Sequence, residues 1–514
     1  MSLLRPIATV GGYTILSRIT GFSRDMMIAN ALGAGILADV FFVAFKLPNL
    51  FRRLFAEGAF SAAFVPLYAG TVATDGREAA QDFANRSFSA LLVVLIGFVA
   101  FMEIIMPWAI YAFAPGFEAT PGKIELAAEL TRLTFPFLLF ISLVSLQGGV
   151  LNSLGHFAAA AGTPVLLNLT MMASLVMLAP LTHSPAHALA WGTSLSGVVQ
   201  FAWLWASCWR VGAPLRLVRP RYDAQVRLLV RRILPVAFGA GLYQVSLLID
   251  TMLASLLAPG AVSYLYYADR VNQLPLGVIG IAVGTALLPL LSRRLHAGDA
   301  DGAMASQNRA LEFALLLTVP AAIALAICAQ PIVSVLFERG AFGPAETHAT
   351  AAALAAFSLG LPAFVMAKVF TPGFFARNDT RTPVKIAAWA LLANVIMNLL
   401  LMVPLRHVGI ALATASSSWI NAIALGVVLY RRGQFHFDPR LRKRLPRLFA
   451  SSLGLGLLLV GGQWELEGYF AGSFLARTTA LAGLVAGGMG AFGILAYLTG
   501  TVRPSDLRSL WSRG

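Results

Sequence analysis

Apolar stretches of about twenty residues recur from one end of this chain to the other. VVLIGFVAFMEIIMPWAIYAFA (93–114), VLLNLTMMASLVMLAP (165–180), FALLLTVPAAIALAICA (313–329) and SSLGLGLLLVGGQW (451–464) are four of them. A helix of about twenty residues crosses the hydrocarbon core of a bilayer. Charged residues make up only 12% of the 514, and hydrophobic ones 58%, whereas soluble domains carry roughly 25% charge. The expected fold is an all-α polytopic membrane protein. Apolar runs, and the Gly, Pro and charge breaks between them, place fourteen spans. They lie near 8–32, 37–69, 83–113, 124–154, 160–182, 188–210, 228–257, 261–292, 308–337, 347–376, 383–404, 409–431, 447–468 and 474–500. The first is expected to be a retained helix and not a signal peptide, because its apolar part meets Arg18 and Arg24 with no cleavage-type end.

The net charge of +15 raises the question of a nucleic-acid partner. The cations gather instead in short links. Arg210, Arg216, Arg219, Arg221, Arg227, Arg231 and Arg232 follow the sixth span; Arg431, Arg432, Arg440, Arg442, Lys443, Arg444 and Arg447 follow the twelfth. Arg293, Arg294, Arg377 and Arg381 follow the eighth and tenth, while the alternate links offer little beyond Lys123, Arg339 and Arg406. This is the positive-inside pattern, and it puts the even links and both termini in the cytoplasm. Cys208 and Cys328 fall in separate apolar segments without paired spacing, which points to inert buried thiols and not to a disulfide or metal site.

A weak internal repeat organises the spans. FFVAFKLPNLFRRLFAEGAFSAAFVPLY (41–68) parallels YLYYADRVNQLPLGVIGIAVGTALLPLL (264–291), and GTPVLLN (162–168) parallels RTPVKIA (381–387). The offset covers six helices, an even number, so both copies enter the membrane from the same side. Two parallel six-helix lobes are a transporter architecture. The expected domains are an N-terminal lobe over 1–215, a C-terminal lobe over 222–432 and two further helices over 446–502.

Within this apolar background some charges stand where they are expensive. An ionisable side chain at the bilayer centre costs about 2.5–3.5 kcal/mol on insertion scales, so it faces protein or a water-filled cavity. In the first span Arg18 and Asp25 lie on one helical stripe, with Ser17 and Arg24 beside it. In PNLFRRLFAEG and the residues before it, Asp39, Lys46, Asn49, Arg52, Arg53 and Glu57 crowd into less than half the helix circumference. The repeat partner carries Asp269, Arg270, Asn272 and Gln273. Pairing of Arg53 with Glu57, and of Arg24 with Asp25, accounts for part of this set. It leaves Arg18, Lys46, Arg52 and Arg270 as a cationic surplus. Guanidinium groups keep their proton and bind phosphate oxygens in bidentate, charge-assisted pairs. An anionic ligand, best a diphosphate, is therefore expected.

At PNLFRRLFAEGAFSAAFVP the chain strongly resembles the MurJ (MviN) family of lipid II flippases, in the superfamily that also holds multidrug and polysaccharide-unit exporters. The resemblance extends to SRITGFSRD (17–25), YYADRVNQLPLGVIGIAVGTALLP (266–289) and FFARNDTRTPVKIA (374–387), and runs the whole length. It implies a transporter that moves undecaprenyl-diphosphate-linked disaccharide-pentapeptide across the bacterial inner membrane for peptidoglycan synthesis. Arg18, Arg24, Arg52 and Arg270 match the family's cavity arginines and Asp39 its functionally important acid; Ser17, Asp25, Lys46, Asn49, Arg53 and Glu57 also stand at motif positions. The last two spans match a groove for the polyprenyl tail. Positions matching a sodium site in some members are Asp250, Asn394, Asn398 and Thr414, with an amide where a second acid would be; a hard cation prefers charged oxygens. No cofactor is expected, and the drive is the membrane potential or a sodium gradient. Rival functions are a flippase for another polyprenyl-linked glycan and a cation-coupled drug exporter. An enzyme is disfavoured: no Gly-Lys-Ser/Thr phosphate loop occurs. Of the histidines only His183 and His187 form a close pair, without a carboxylate beside them.

Overall fold

A computed structural model describes residues 4–52, 59–220 and 223–502. The regular elements are helices. In chain order they are α1 (Leu4–Leu32), α2 (Ile36–Arg52), α3 (Ala59–Thr74), α4 (Gly76–Phe113), α5 (Lys123–Thr134), α6 (Phe137–Ser153), α7 (Phe157–Leu178), α8 (Pro185–Arg210) and α9 (Ala224–Ser255). There follow α10 (Ala261–His296), α11 (Ala300–Ile327), α12 (Ala329–Phe337), α13 (Pro344–Ser358), α14 (Leu361–Phe375), α15 (Arg381–Arg431), α16 (Pro439–Glu465), α17 (Glu467–Phe470) and α18 (Phe474–Leu498).

Among the described residues eight helical stretches are long and apolar enough to cross a membrane, and this is consistent with fourteen crossings. Several expected spans are built from two helices. The fourth is α5 and α6, parted at Phe135–Pro136; the ninth is α11 and α12, parted at Cys328; the tenth is α13 and α14, parted at Leu359–Gly360. Conversely, α15 runs for 51 residues, about 76 Å at 1.5 Å per residue. That is more than twice the hydrocarbon thickness. Arg406, with φ 52° and ψ −133°, breaks it into two arms, where the expected eleventh and twelfth spans part.

Local chemistry sets the helix ends. Asp223, Asp299 and Asp438 cap α9, α11 and α16 by accepting from the amides of Val226, Gly302 and Leu441, which satisfies donors the helix cannot. After α1 the chain turns at Gly33, with φ +64°. A Cβ there would lie 2.3 Å from the Ala341 carbonyl oxygen, so only glycine fits.

The chain forms two compact units. Unit 1 comprises Met1–Ser263 with Gly340–Phe342; unit 2 comprises Tyr264–Arg339 and Gly343–Gly514. In unit 1, Phe60, Phe64, Tyr68 and Phe83 stack between α3 and α4, with ring centroids 5.3–5.6 Å apart. Phe137, Leu151 and Leu204 join α6 to α8. In unit 2, Val369, Phe370 and Phe374 of α14 pack with Leu311 and Leu315 of α11, Leu425 and Leu429 of α15 and Leu448 of α16. Lipid tails are as apolar as leucine, so close packing and interhelical polar contacts hold such a bundle. The last helices illustrate both. Leu455, Leu459 and Leu484 pack on Cys328; Gln463 Nε2 donates to the Ile327 carbonyl at 3.1 Å and Arg477 to Glu338 at 2.8 Å. Both cysteines are free and buried.

Candidate functional site

The charged stripe of α1 is organised by α7. Asn168 of α7 is 4% exposed. Its Nδ2 donates to the Ser17 carbonyl and to Thr20 Oγ1, each at 3.1 Å, and its Oδ1 accepts from Arg24 Nη1 at 3.0 Å. Gly21 makes the approach close, since a Cβ there would stand 3.2 Å from Asn168 Nδ2. Arg24 also donates through Nη2 and Nε to Asp25 Oδ1 at 2.7 and 3.1 Å, and its guanidinium lies 5.6 Å from the Phe45 ring centre. Arg24 and Asp25 therefore form a buried, neutral pair. Arg18 differs. It is half-buried, and among the described residues it makes no hydrogen bond or ion pair. Six residues separate it from Arg24, a rotation of about 120°, so the two guanidinium groups leave α1 on different sides.

α2 brings three of the expected residues together. Pro48 lacks an amide proton, which leaves the carbonyl four residues earlier without its helical partner. That carbonyl, on Ala44, accepts instead from Thr134 Oγ1 of α5 at 2.8 Å. One turn on, Asn49 donates through Nδ2 to the Phe45 carbonyl at 2.7 Å and accepts from Arg52 Nε at 3.0 Å. Lys46 Nζ donates to Thr251 Oγ1 of α9 at 3.0 Å. Lys46, Asn49 and Arg52 are all half-buried. Arg53 and Glu57 lie outside the described residues.

Asp39, at the other end of α2, sits in a saturated cage. It is 1% exposed. Oδ2 accepts from Lys123 Nζ at 3.1 Å and from the Gly260 amide at 2.7 Å; Oδ1 accepts from the Ser263 amide at 3.0 Å and Ser263 Oγ at 2.6 Å. Its carboxylate thus caps the first turn of α10, where the helix dipole favours a negative charge. Lys123, 4% exposed, also lies 4.0 Å from the Phe117 ring centre. This is a buried ion pair whose carboxylate accepts from four donors and whose ammonium also faces an aromatic ring, the kind of added support that lets such pairs be tolerated.

In unit 2, Arg270 is half-buried; its Nη2 donates to Tyr266 Oη at 2.9 Å and its guanidinium lies 4.9 Å from that ring. Asp269 accepts from Gln273. Of the four positions that match a sodium site, Asp250 stands on α9 in unit 1, and Asn394, Asn398 and Thr414 on α15 in unit 2. Asn398 Nδ2 donates to Asn394 Oδ1 at 3.2 Å, and Thr414 Oγ1 to the Ile410 carbonyl at 3.0 Å. The donor set within unit 2 is neutral and its Asn394 oxygen already accepts a proton donor, so it fits a hard cation poorly. Among the described residues no group of three or more His, Cys, Asp or Glu side chains could hold a metal ion.

The structure corrects one expectation. His187 has a carboxylate neighbour: its Nε2 lies 3.3 Å from Glu129 Oε1 and its Nδ1 2.8 Å from Ser184 Oγ. Glu129 is 58 positions away in sequence, and no local spacing reveals it. Two further residues were missed. Asn168 was visible only as a polar residue in an apolar span. By its sequence position Lys123 is a link cation, yet it is buried against Asp39.

Comparison with known proteins gives these arrangements a context. The family model described as "Lipid II flippase MurJ" matches residues 28–479. A relative from Rhizobium tropici named "Probable lipid II flippase MurJ" is 42% identical over 514 residues, covering 99% of this chain and 96% of its own length. One from Burkholderia cenocepacia, "Lipid II flippase MurJ", is 36% identical, covering 90% of this chain and 89% of its own. Among solved structures, "Lipid II flippase MurJ, inward closed conformation" matches with TM-score 0.77 at 23% identity, covering 95% of this chain and 97% of that one. An inward-facing multidrug resistance MATE transporter matches with TM-score 0.61 at 16% identity, covering 81% and 98%.

Proposed function

This chain belongs to the MurJ family of lipid II flippases, multi-pass membrane transporters and not enzymes, and from that membership we propose that it carries lipid II from the cytoplasmic to the periplasmic leaflet. The supporting observation is Arg18, a half-buried guanidinium with no partner among the described residues, in the helix that the sequence predicts as the first span. A charge in that setting costs free energy until it meets water or an anion. The diphosphate of lipid II supplies the anion, and guanidinium groups suit it by bidentate, charge-assisted bonding. Arg18 and Arg52 bind the diphosphate in unit 1, and Arg270 of unit 2 is assigned an anion-binding role from the family motif alone. Arg24 shapes the α1 surface through Asp25 and Asn168. Ser17, Lys46, Asn49, Arg53 and Glu57 are assigned supporting roles from the family motif alone.

The cycle is alternating access between two six-helix lobes, 1–215 and 222–432, with the helices over 446–502 taking the polyprenyl tail. The arginine-rich links and both termini are on the cytoplasmic side, by the positive-inside rule. Diphosphate binding drives the change because it favours one state over the other. The membrane potential supplies the bias, worth about 2.3 kcal/mol per charge per 100 mV; the neutral donors of Asn394, Asn398 and Thr414 speak against sodium as the main drive. A drug exporter for organic cations requires available acids. Asp25 is engaged by Arg24, and Asp39 by Lys123 and the start of α10, which argues against that reading.

The test is the leaflet accessibility of lipid II in cells depleted of this protein and complemented with wild type or Arg52→Ala. Lipid II trapped inside on depletion, released by wild type and not by Arg52→Ala, supports the assignment. Lipid II that still reaches the outer face in depleted cells lacking any other flippase contradicts it.

A further inference from the structure

We infer that unit 1 holds a second phosphate site, separate from the transport arginines, that binds the headgroup of an anionic phospholipid from the adjoining leaflet. The site is a cavity of about 400 Å³ where the early part of α1, the α6–α7 link and the end of α8 meet. Thr9, His156, Ser207 and Arg210 give it polar walls, and Leu151 and Phe157 apolar ones.

Three observations select the ligand. First, cations gather at the rim. Arg210 is exposed, and Arg77 Nη2 donates to the carbonyl of the next residue, Val211, at 2.7 Å, which brings a second guanidinium to the same edge. Second, the first turn of α7, residues 157–159, forms part of the wall. α7 is a 22-residue helix, and its N-cap residue His156 makes no side-chain capping hydrogen bond. Its amide donors and the positive end of its dipole meet the cavity, an arrangement that favours oxyanions. The ends of α6 and α8 also lie here and oppose an anion, so the guanidinium groups are needed to tip the balance. Third, tryptophans fix the depth. Trp203 Nε1 donates to the Ala159 carbonyl at 3.2 Å along the wall, while Trp209, beside Arg210, is 72% exposed. Exposed tryptophan next to arginine at a helix end marks the headgroup layer of a membrane, and basic pockets between helices at that level suit phospholipid phosphates. A free phosphate offers the same oxyanion but has no tail for the apolar wall.

The site is distinct from the transport face. Thr9 precedes Arg18 by nine residues, about 14 Å along α1 and half a revolution around it.

The experiment uses the full-length protein purified in detergent, titrated separately with short-chain phosphatidylglycerol, phosphatidylcholine of equal chain length and inorganic phosphate. We expect saturable binding of phosphatidylglycerol, at least tenfold tighter than phosphatidylcholine, with no competition from millimolar phosphate. Arg210→Glu reverses the rim charge, and Ala158→Phe fills the cavity from α7 with no change in charge. Each should weaken phosphatidylglycerol at least tenfold while the lipid-free melting temperature holds. Wild-type affinity in both variants overturns the site. Equal binding of phosphatidylglycerol and phosphatidylcholine overturns the anionic preference, and inorganic phosphate binding as tightly as the lipid overturns the lipid as its source.

Discussion

Asp39 and Arg18 are both formal charges of unit 1, carried by segments the sequence predicts to span the membrane, yet their surroundings are opposite in kind. Asp39 accepts from four donors on three partners and is almost wholly buried. Arg18 is half-buried and has no partner among the described residues. A charge that the fold itself satisfies has a structural task, holding α2, α5 and the start of α10 together. A charge that the fold leaves unsatisfied is available to a ligand. In sequence the two look alike, because each is an expensive residue in an apolar run; what separates them is where the hydrogen bonds go.

Substitutions should separate the two regions by what they damage. The largest expected effect is on transport. Arg18→Ala should abolish support of growth, with a binding loss of about tenfold to a hundredfold from 1.5–3 kcal/mol of charged hydrogen bonding, and the melting temperature of the purified protein should barely move. Next comes Asp39→Ala, which strands Lys123 as a buried charge and should destabilise by about 3–5 kcal/mol. Thermal unfolding in detergent reads this, and Asp39→Ala with Lys123→Met should recover more than half of the loss. If Lys123→Met restores nothing, the pair is not the reason Asp39 is needed.

Asn168→Ala falls between the regions. It leaves Arg24 with Asp25 but removes the link from α7 to α1, at about 1–3 kcal/mol, so both stability and transport should fall in part. The smallest effect is expected at Thr134→Val, which keeps the side-chain shape but removes the donor to the Ala44 carbonyl freed by Pro48. A loss of about 1 kcal/mol is expected from that single hydrogen bond, again read by thermal unfolding. A loss as large as that of Asp39→Ala would show that the bend in α2 governs the whole region.

The length and apolarity of the runs made the membrane fold legible, and the break between the two arms of α15 fell where Pro404, Arg406 and Gly409 interrupt the sequence. The division of the fourth and tenth spans into α5–α6 and α13–α14 was not legible, because a Pro136 or Gly360 inside a long run is equally compatible with one kinked helix. The candidate site divides in the same way. Arg24 and Asp25 are neighbours in the chain, and their pairing could be read there. Asn168 lies 144 positions from Arg24, and Lys123, Gly260 and Ser263 lie 84 to 224 positions from Asp39. No local pattern encodes such separations, so Lys123 passed for a link cation although it is 4% exposed.

The most direct measurement is the affinity of purified wild type, Arg18→Ala and Asp39→Asn for lipid II, with melting temperature followed in parallel. The expected result is a weakening of about tenfold or more in Arg18→Ala at unchanged melting temperature, and the reverse pattern in Asp39→Asn, a lower melting temperature with lipid II binding retained by the folded fraction. Wild-type affinity in a folded Arg18→Ala protein would contradict the assignment of that unpartnered guanidinium to the diphosphate.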